Sequence, residues 1–124
     1  MLGLKESVAT LPVKDLSKAS RFYEEKLGLK RGRSEGDEAV SYRGGNSGVL
    51  VYRSQFAGTN KATAATLVVD DVERAVETLK AKGISFEHYD MPGMTRQGDV
   101  HLGGGMKVAW FKDPDGNILS LVDH

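Results

Sequence analysis

The sequence predicts an α+β fold built from two copies of one β-α-β-β-β module, and three observations support this. The segments 9–19 (ATLPVKDLSKA) and 65–75 (ATLVVDDVERA) are identical at six of eleven positions. An amphipathic stretch, a glycine and strand-like runs follow each segment. The turn sequence DPDGN at 113–117 separates two such runs near the end. Repetition of both the letters and the layout indicates a repeated supersecondary unit.

Each copy opens with a short strand, predicted near 7–13 and near 63–69, because apolar and polar residues alternate there. An aspartate follows each strand, Asp15 in the first copy and Asp71 in the second. A carboxylate at this place accepts the free N–H groups of a first helical turn. Both aspartates are therefore predicted to begin a helix.

The helices are predicted over about 16–27 and 72–82, where apolar residues recur at helical spacing. Gly28 and Gly83 come directly after them. Glycine is favoured there because a helix commonly ends on a residue with left-handed backbone angles. Each helix is thus predicted to end at its glycine.

Three further strands are predicted in each copy, at about 29–34, 38–43 and 48–53, then at about 84–89, 106–112 and 117–122. The connection MPGMTRQGDVHLGGG is long for a compact domain. It is predicted to be either a functional lid or the arm of a long hairpin. The residues that would act in a lid are Met91, Met94, Arg96 and His101.

Length and composition limit the classes of protein to which the chain can belong. A chain of 124 residues predicts a single domain over 1–124, with module one at about 5–54 and module two at about 62–123. Seventeen basic and seventeen acidic residues balance, so neither nucleic acid nor a membrane is expected as a partner. There is no cysteine, no long apolar run and no signal-peptide pattern at the start. These features predict a cytoplasmic protein.

Three stretches of this chain carry a resemblance to a known family. They are ATLPVKDLSKASRFYEEKLGL, ATLVVDDVERAVETLKAKGI and VAWFKDPDGNILSLV. They resemble the vicinal oxygen chelate superfamily, which contains glyoxalases, bleomycin-resistance proteins and extradiol dioxygenases. The resemblance implies a glyoxalase-like fold, in which curved mixed sheets surround a cleft, and a homodimer. It also implies that any divalent metal is held by cleft-facing residues of the first and last strands of both modules.

This chain departs from the family's metal-ligand pattern. The first-strand positions fall on Val8 and Ala64, and Ser120 occupies the last-strand position where the family often has glutamate. The corresponding first-module strand, SGVLVYR, has no carboxylate. Aliphatic and hydroxyl side chains are poor ligands for a divalent ion. No cofactor is therefore predicted.

Alternation along the strands predicts which residues line the cleft. Trp110 is a candidate for stacking on a ligand, with packing under a loop or in a dimer contact as the alternative. Tyr42 and Tyr52 are candidates whose face is ambiguous, and core packing is the simpler interpretation of each. The full set of cleft-lining candidates is Val8, Thr10, Tyr42, Tyr52, Ala64, Thr66, Trp110 and Ser120.

No catalytic residue is predicted, because Ser120 has no evident base. The histidines His88, His101 and His124 lack metal-binding spacing and are expected to be exposed or locally hydrogen-bonded. The sequence thus predicts metal-independent binding of a small apolar or aromatic molecule in the cleft. One alternative is a metal-dependent lyase or dioxygenase with atypical ligands, or a metal-free isomerase. The other is a structural or regulatory dimer without a ligand.

Overall fold

The computed structural model describes residues 2–123 and confirms the α+β class with two mixed sheets, of four and six strands. The chain forms two compact units. Unit 1 comprises residues up to Thr59 together with Pro114–Asn117, and unit 2 comprises Asn60–Asp113 together with residues from Ile118 onward. Within residues 2–123, no helix is long and apolar enough to cross a membrane.

Unit 1 contains the first copy of the repeat. Its strands are β1 (Ala9–Val13), β2 (Lys30–Glu35), β3 (Ala39–Gly44) and β4 (Ser47–Arg53). They lie in the order β1-β4-β3-β2, with β1 parallel to β4 and the other pairs antiparallel. Helix α1 (Leu16–Ser20) continues as a π-helical segment, Arg21–Lys26, so the predicted helix is present but changes form after one turn.

Both ends of the first helical region follow from single residues, as predicted. The Asp15 carboxylate accepts the backbone N–H groups of Ser17 at 2.9 Å and Lys18 at 3.3 Å. Gly28 follows the helix with a φ of 73°, an angle that glycine adopts without strain. The sequence signals at Asp15 and Gly28 therefore fix where this helix begins and ends.

The core of unit 1 lies on one face of its sheet. Side chains of that face are almost fully buried: Leu11, Val13, Val40, Tyr42, Val49 and Val51. On the opposite face Thr10 is exposed, Leu50 is half-buried and Tyr52 is 37% exposed. Burial on alternate positions is the pattern of a sheet with one packed face.

Unit 2 contains the second copy of the repeat and has six strands, two more than unit 1. Its strands are β5 (Thr63–Val68), β6 (Phe86–Glu87), β7 (Thr95–Gln97), β8 (Val100–Gly103), β9 (Met106–Lys112) and β10 (Ile118–Val122). The order is β5-β10-β9-β8-β7, and β6 also pairs with β9. Helix α2 (Val72–Ala81) is capped by Asp71, which accepts the Arg74 N–H, and by Asp123, which accepts the Val72 N–H.

The segment 91–105 is a hairpin arm, and the lid interpretation of it is wrong for His101. β7 and β8 pair with each other, and β8 pairs in turn with β9. His101 lies within β8 and is 1% exposed. Of the two expectations for His101, exposure or a local hydrogen bond, exposure is wrong because the hairpin joins the sheet and carries the side chain into the interior.

Unit 2 is packed on both faces of its sheet. The face toward α2 buries Ala109, Phe111, Leu119 and Leu121. Residues that alternate with these belong to the opposite face, and there Trp110 is only 8% exposed. The described residues of unit 1 form no second buried face of this kind, and the candidate site lies on the one in unit 2.

Candidate functional site

Trp110 is the centre of the second buried face of unit 2. It forms an apolar cluster with Val108 and Ile118, against which Tyr89 and Met94 pack. Its indole N–H donates to the Thr63 hydroxyl at 3.1 Å. Trp110 lies on the face predicted for it and packs beneath the segment that carries Tyr89 and Met94, while its stacking on a ligand stays a prediction.

Two aromatic side chains meet Trp110 edge to face. The ring centroid of His101 lies 4.8 Å away and that of Tyr89 lies 5.2 Å away. Such T-shaped pairs are a favoured geometry for aromatic rings. The three rings therefore hold one another in place at the edge of the cluster.

Ser120 has a structural partner on the neighbouring strand. It pairs with Trp110 on β9 and with Thr66 on β5. Its hydroxyl donates to the Thr66 hydroxyl at 2.8 Å, and the side chain is 4% exposed. A serine is stable among buried apolar residues because this hydrogen bond satisfies its hydroxyl.

A cavity of about 390 Å³ opens beside this cluster, next to the β7–β8 hairpin. It lies within unit 2 and combines apolar and polar walls. All four residues predicted for the lid line this cavity. Its lining residues are Tyr89, Asp90, Met91, Pro92, Met94, Thr95, Arg96 and His101.

The tautomer of His101 is set by the backbone. The Tyr89 N–H donates to His101 Nε2 at 3.0 Å. Because a backbone N–H can only donate, Nε2 is the unprotonated nitrogen of a neutral ring, and Nδ1 carries the hydrogen. His101 is therefore a neutral donor at Nδ1.

Within residues 2–123, the Tyr89 hydroxyl and His101 Nδ1 are the buried side-chain polar atoms without a hydrogen-bond partner. We call them the two cavity groups, because both residues line the cavity. Burial, and secondly the negative charge of Glu87, raises the pKa of the Tyr89 hydroxyl, so that it keeps its proton. An unsatisfied buried polar group is costly, which makes these two atoms exceptional in the unit.

A charged cluster fastens the hairpin that forms one wall. The Asp99 carboxylate lies 2.7 Å from Lys80 Nζ of α2 and 2.7 Å from His88 Nε2. Hydrogen bonds from Lys80 and from His88 lower the pKa of Asp99. Since His88 directly precedes Tyr89, this cluster holds both the hairpin and the chain that carries one of the cavity groups.

The prediction that Tyr42 lines a cleft is wrong. Its side chain is 1% exposed and lies on the helix-facing side of β3. Its hydroxyl lies 2.9 Å from Ser20 Oγ and 3.1 Å from Glu24 Oε2, both in the helical region of unit 1. Burial, above all, raises the pKa of Tyr42. Alternation places Tyr42 with Val40 in the core, which is the simpler interpretation offered above.

The other first-module candidates lie on the more open face of unit 1. Thr10 and Tyr52 share the sheet face opposite α1. Val8 precedes β1, which begins at Ala9, and is 39% exposed. In unit 2, Ala64 falls at a register irregularity between β5 and β10 and is half-buried. Whether these residues contact a ligand remains a prediction.

The side chains present do not fit the metal site that the family resemblance implies. Val8 and Ala64 offer no donor atom, and the Ser120 hydroxyl is engaged with Thr66. Within the described part of the chain, no three His, Asp or Glu side chains gather in a way that could hold an ion. His124, one of the three histidines considered, lies outside the described residues.

Comparisons with known proteins place the chain in a family. A family model described as "Glyoxalase/Bleomycin resistance protein/Dioxygenase superfamily" matches residues 7–121. A probable lactoylglutathione lyase from Vibrio parahaemolyticus is 25% identical, over 92% of this chain and 86% of that protein. The match to the family model spans both copies of the repeat.

Solved structures share the fold. TnmS3, an antibiotic binding protein from Streptomyces sp. CB03234, has a TM-score of 0.71 at 21% identity, covering 99% of this chain and 98% of its own. A glyoxalase family protein from Enterococcus faecalis has a TM-score of 0.73 at 20% identity, with 98% and 99% covered. The fosfomycin resistance protein FosX from Listeria monocytogenes has a TM-score of 0.72 at 16% identity, with 98% and 93% covered.

Sequence reasoning did not single out Tyr89 or Asp99. Both depend on contacts with residues ten or more positions away, Trp110 and His101 for Tyr89, Lys80 for Asp99. A weak signal was available, since Tyr89 is the last residue of a predicted strand that ends beside an unusually long connection. That signal indicates a place for a site without indicating its chemistry.

Proposed function

The chain belongs to the glyoxalase/bleomycin resistance protein/dioxygenase superfamily, and within it we propose metal-independent binding of a small apolar or aromatic molecule in unit 2. The cavity beside Trp110 is the observation that carries the proposal. Its volume of about 390 Å³ falls in the range of about 300–1,000 Å³ common for small-molecule sites. Tyr89, Met91 and Met94 provide apolar contact surface there.

The side chains at the expected metal-ligand positions support a function that does not require a metal. The family's ligand positions carry Val8, Ala64 and Ser120 in place of strong ligands. The cavity brings one carboxylate, that of Asp90, and one imidazole, that of His101. His101 Nε2 already accepts the Tyr89 N–H, which occupies the lone pair that would bind an ion.

A metal-dependent lyase is the second candidate, favoured by one relative, the probable lactoylglutathione lyase of Vibrio parahaemolyticus. It would require an ion held by residues other than those at the family's positions. A ligand-free structural or regulatory dimer is a third candidate. Homodimer formation, cytoplasmic location and the lack of nucleic-acid or membrane partners remain predictions, of which light scattering tests the first.

The test begins with protein dialysed against EDTA and its metal content measured by mass spectrometry. The neutral fluorophore N-phenyl-1-naphthylamine is then titrated in, alone and with zinc, manganese, nickel or iron(II). We expect saturable binding with one dissociation constant under all conditions. Stoichiometric metal that survives dialysis, or binding that requires an ion, would favour the lyase. No binding under any condition would favour the structural dimer.

Methionine substitutions locate the binding in the cavity. Met91→Gln removes an apolar contact from the cavity wall, and we expect it to weaken fluorophore binding several-fold. Met106→Gln is the matched control, because Met106 lies in the same unit at similar exposure, 52% against 43% for Met91, and does not line the cavity. Equal effects of both substitutions would place the fluorophore elsewhere.

A further inference from the structure

The cavity carries two hydrogen-bond donors that the fold itself leaves unused. Among the residues that the structure describes, Tyr89 Oη and His101 Nδ1 are the buried side-chain polar atoms without a partner. Trp110, Thr63, Ser120 and Thr66, which lie nearby on the sheet, satisfy one another instead. On this face of the sheet, the buried polar atoms without a partner therefore belong to residues that line the cavity.

As long as His101 Nε2 accepts the backbone N–H of Tyr89, His101 Nδ1 acts only as a hydrogen-bond donor. The Tyr89 N–H occupies Nε2 at 3.0 Å, and a second proton on the ring would face that N–H directly. Tyr89 keeps its hydroxyl proton, since burial and the nearby Glu87 oppose its loss. Both groups consequently offer hydrogen atoms to an acceptor.

The charged residues of the cavity wall favour the same kind of partner. Arg96 lies opposite His101 in the β7–β8 pairing, so the two side chains share one face. Its guanidinium bonds the Gly98 carbonyl at 2.8 Å and retains further N–H donors. Asp90 is the one carboxylate of the wall, so donors outnumber acceptors among the lining side chains.

We propose that the two cavity groups bind an acceptor oxygen, of a carboxylate or a carbonyl, carried by the apolar molecule of the proposed function. This inference rests on that function and names the class of its ligand. An acceptor group bound there would supply the partner that the fold does not give these two donors, and Arg96, on the same face as His101, adds further N–H groups. The apolar body of the ligand would contact the methionines and Pro92.

Met94 belongs both to the cavity wall and to the packing around Trp110. Its side chain is half-buried. The two groups have almost no exposed surface of their own. The proposal therefore requires a lining side chain to move when the ligand binds, and an unbranched methionine adapts its conformation readily.

Four naphthalenes of similar size test the inference by equilibrium dialysis with EDTA-treated protein. They are 2-naphthoate, 2-acetylnaphthalene, 2-ethylnaphthalene and the cation 2-naphthylmethylammonium. We expect the two oxygen-bearing compounds to bind about tenfold more tightly than 2-ethylnaphthalene, as one or two net hydrogen bonds would give. The cation is expected to bind most weakly.

Failure of the inference and failure of the proposed function give different results. If 2-ethylnaphthalene binds as tightly as the oxygen-bearing pair, the acceptor inference is overturned while binding of an apolar molecule stands. Tightest binding by the cation overturns it too and points to Asp90. If none of the four naphthalenes and no N-phenyl-1-naphthylamine binds, the proposed function fails with it.

Tyr89→Phe removes one donor and keeps the ring. We expect it to weaken 2-naphthoate and 2-acetylnaphthalene about fivefold to tenfold and to leave 2-ethylnaphthalene within about twofold. The matched control is Tyr42→Phe, whose hydroxyl is engaged with Ser20 and Glu24 in unit 1, and it should change none of the affinities. Equal weakening of all ligands by Tyr89→Phe would overturn the role of the hydroxyl.

Nitrogen-15 NMR of the histidine rings tests the second donor separately. We expect the free protein to show His101 as the neutral ring protonated at Nδ1. Saturating 2-naphthoate should move the Nδ1 proton resonance downfield, because a charge-assisted hydrogen bond deshields it. A His101 resonance that does not respond to bound 2-naphthoate would contradict its part in the site.

Discussion

Ser41 and Trp110 occupy equivalent positions in the two copies of the repeat. Ser41 pairs with Leu50, which pairs with Thr10. Trp110 pairs with Ser120, which pairs with Thr66, and Thr10 and Thr66 correspond in the repeat. One module therefore carries a small polar residue where the other carries its largest apolar side chain, and burial differs accordingly.

The hairpin β7–β8 accounts for the difference. In unit 1 the edge of β3 that faces away from β4 pairs with β2 alone. In unit 2 the same edge of β9 is shared between short β6 and β8, and the chain between them passes over Trp110 through Tyr89 and Met94. Insertion of a hairpin into one copy thus converts an open sheet face into a second buried face with a cavity.

The largest predicted effect compares the equivalent positions directly. Trp110→Ala removes a buried aromatic side chain and should lower the free energy of unfolding by about 3–5 kcal/mol. Ser41→Ala, at a half-buried polar position, should change it by about 0.5 kcal/mol or less. Urea unfolding followed by circular dichroism measures both. Similar losses from the two substitutions would show that the second face is not packed as described.

Replacement of two different tyrosines by phenylalanine is expected to change the free energy of unfolding in opposite directions. Tyr42→Phe removes hydrogen bonds to Ser20 and Glu24 and should cost about 1–2 kcal/mol of stability. Tyr89→Phe removes one of the two cavity groups and should raise stability by about 1 kcal/mol, because the desolvated hydroxyl is lost with its penalty. Thermal unfolding of both variants decides the matter. A destabilised Tyr89→Phe protein would mean that the hydroxyl has a partner in the folded state.

The smallest effect concerns the charged cluster that fastens the hairpin. Lys80 and His88 lower the pKa of Asp99 in the folded state. The carboxylate therefore adds stability above its ordinary pKa of about 3.9, and this contribution is lost as the pH falls through the lowered value. Asp99→Asn should cost about 1 kcal/mol at pH 7, since solvent screens the half-exposed Lys80, and little at pH 2.5.

Stability measured across this pH range distinguishes the cluster from a general acid effect. Asp37→Asn, at an exposed turn of unit 1, is the control and should leave the profile unchanged. If the difference between Asp99→Asn and the parent protein persists undiminished at pH 2.5, ionisation of Asp99 is not the source of the stabilisation.

The sequence allowed the repeated architecture to be predicted because its signals are local. Asp15 and Asp71 begin helices through hydrogen bonds within three residues, and Gly28 and Gly83 follow them with positive φ. Strand faces followed from alternation, which places Trp110 and Ser120 on one side of their sheet.

The site could be predicted only in part because its contacts are not local. His101 becomes buried through pairing with β9, and Tyr89 meets Trp110 across twenty-one positions of the chain. Glycines at 103–105 gave no sign that β8 ends there and turns directly into β9. The prediction that Tyr42 lines the cleft was wrong. Tyr42 and Val40 are two positions apart and so share a face of β3, but the sequence alone does not determine which face of that strand is buried.

Carbon-13 labelling of the methionine methyl groups, followed by titration of metal-free protein with 2-naphthoate, tests the central claim most directly. The label reports Met91 and Met94 in the cavity wall and Met106 outside it, with assignments from single Met→Leu variants. The account predicts saturable shifts of the Met91 and Met94 resonances at one common dissociation constant, with Met106 unmoved. Saturable binding of 2-naphthoate that leaves Met91 and Met94 unshifted would contradict it.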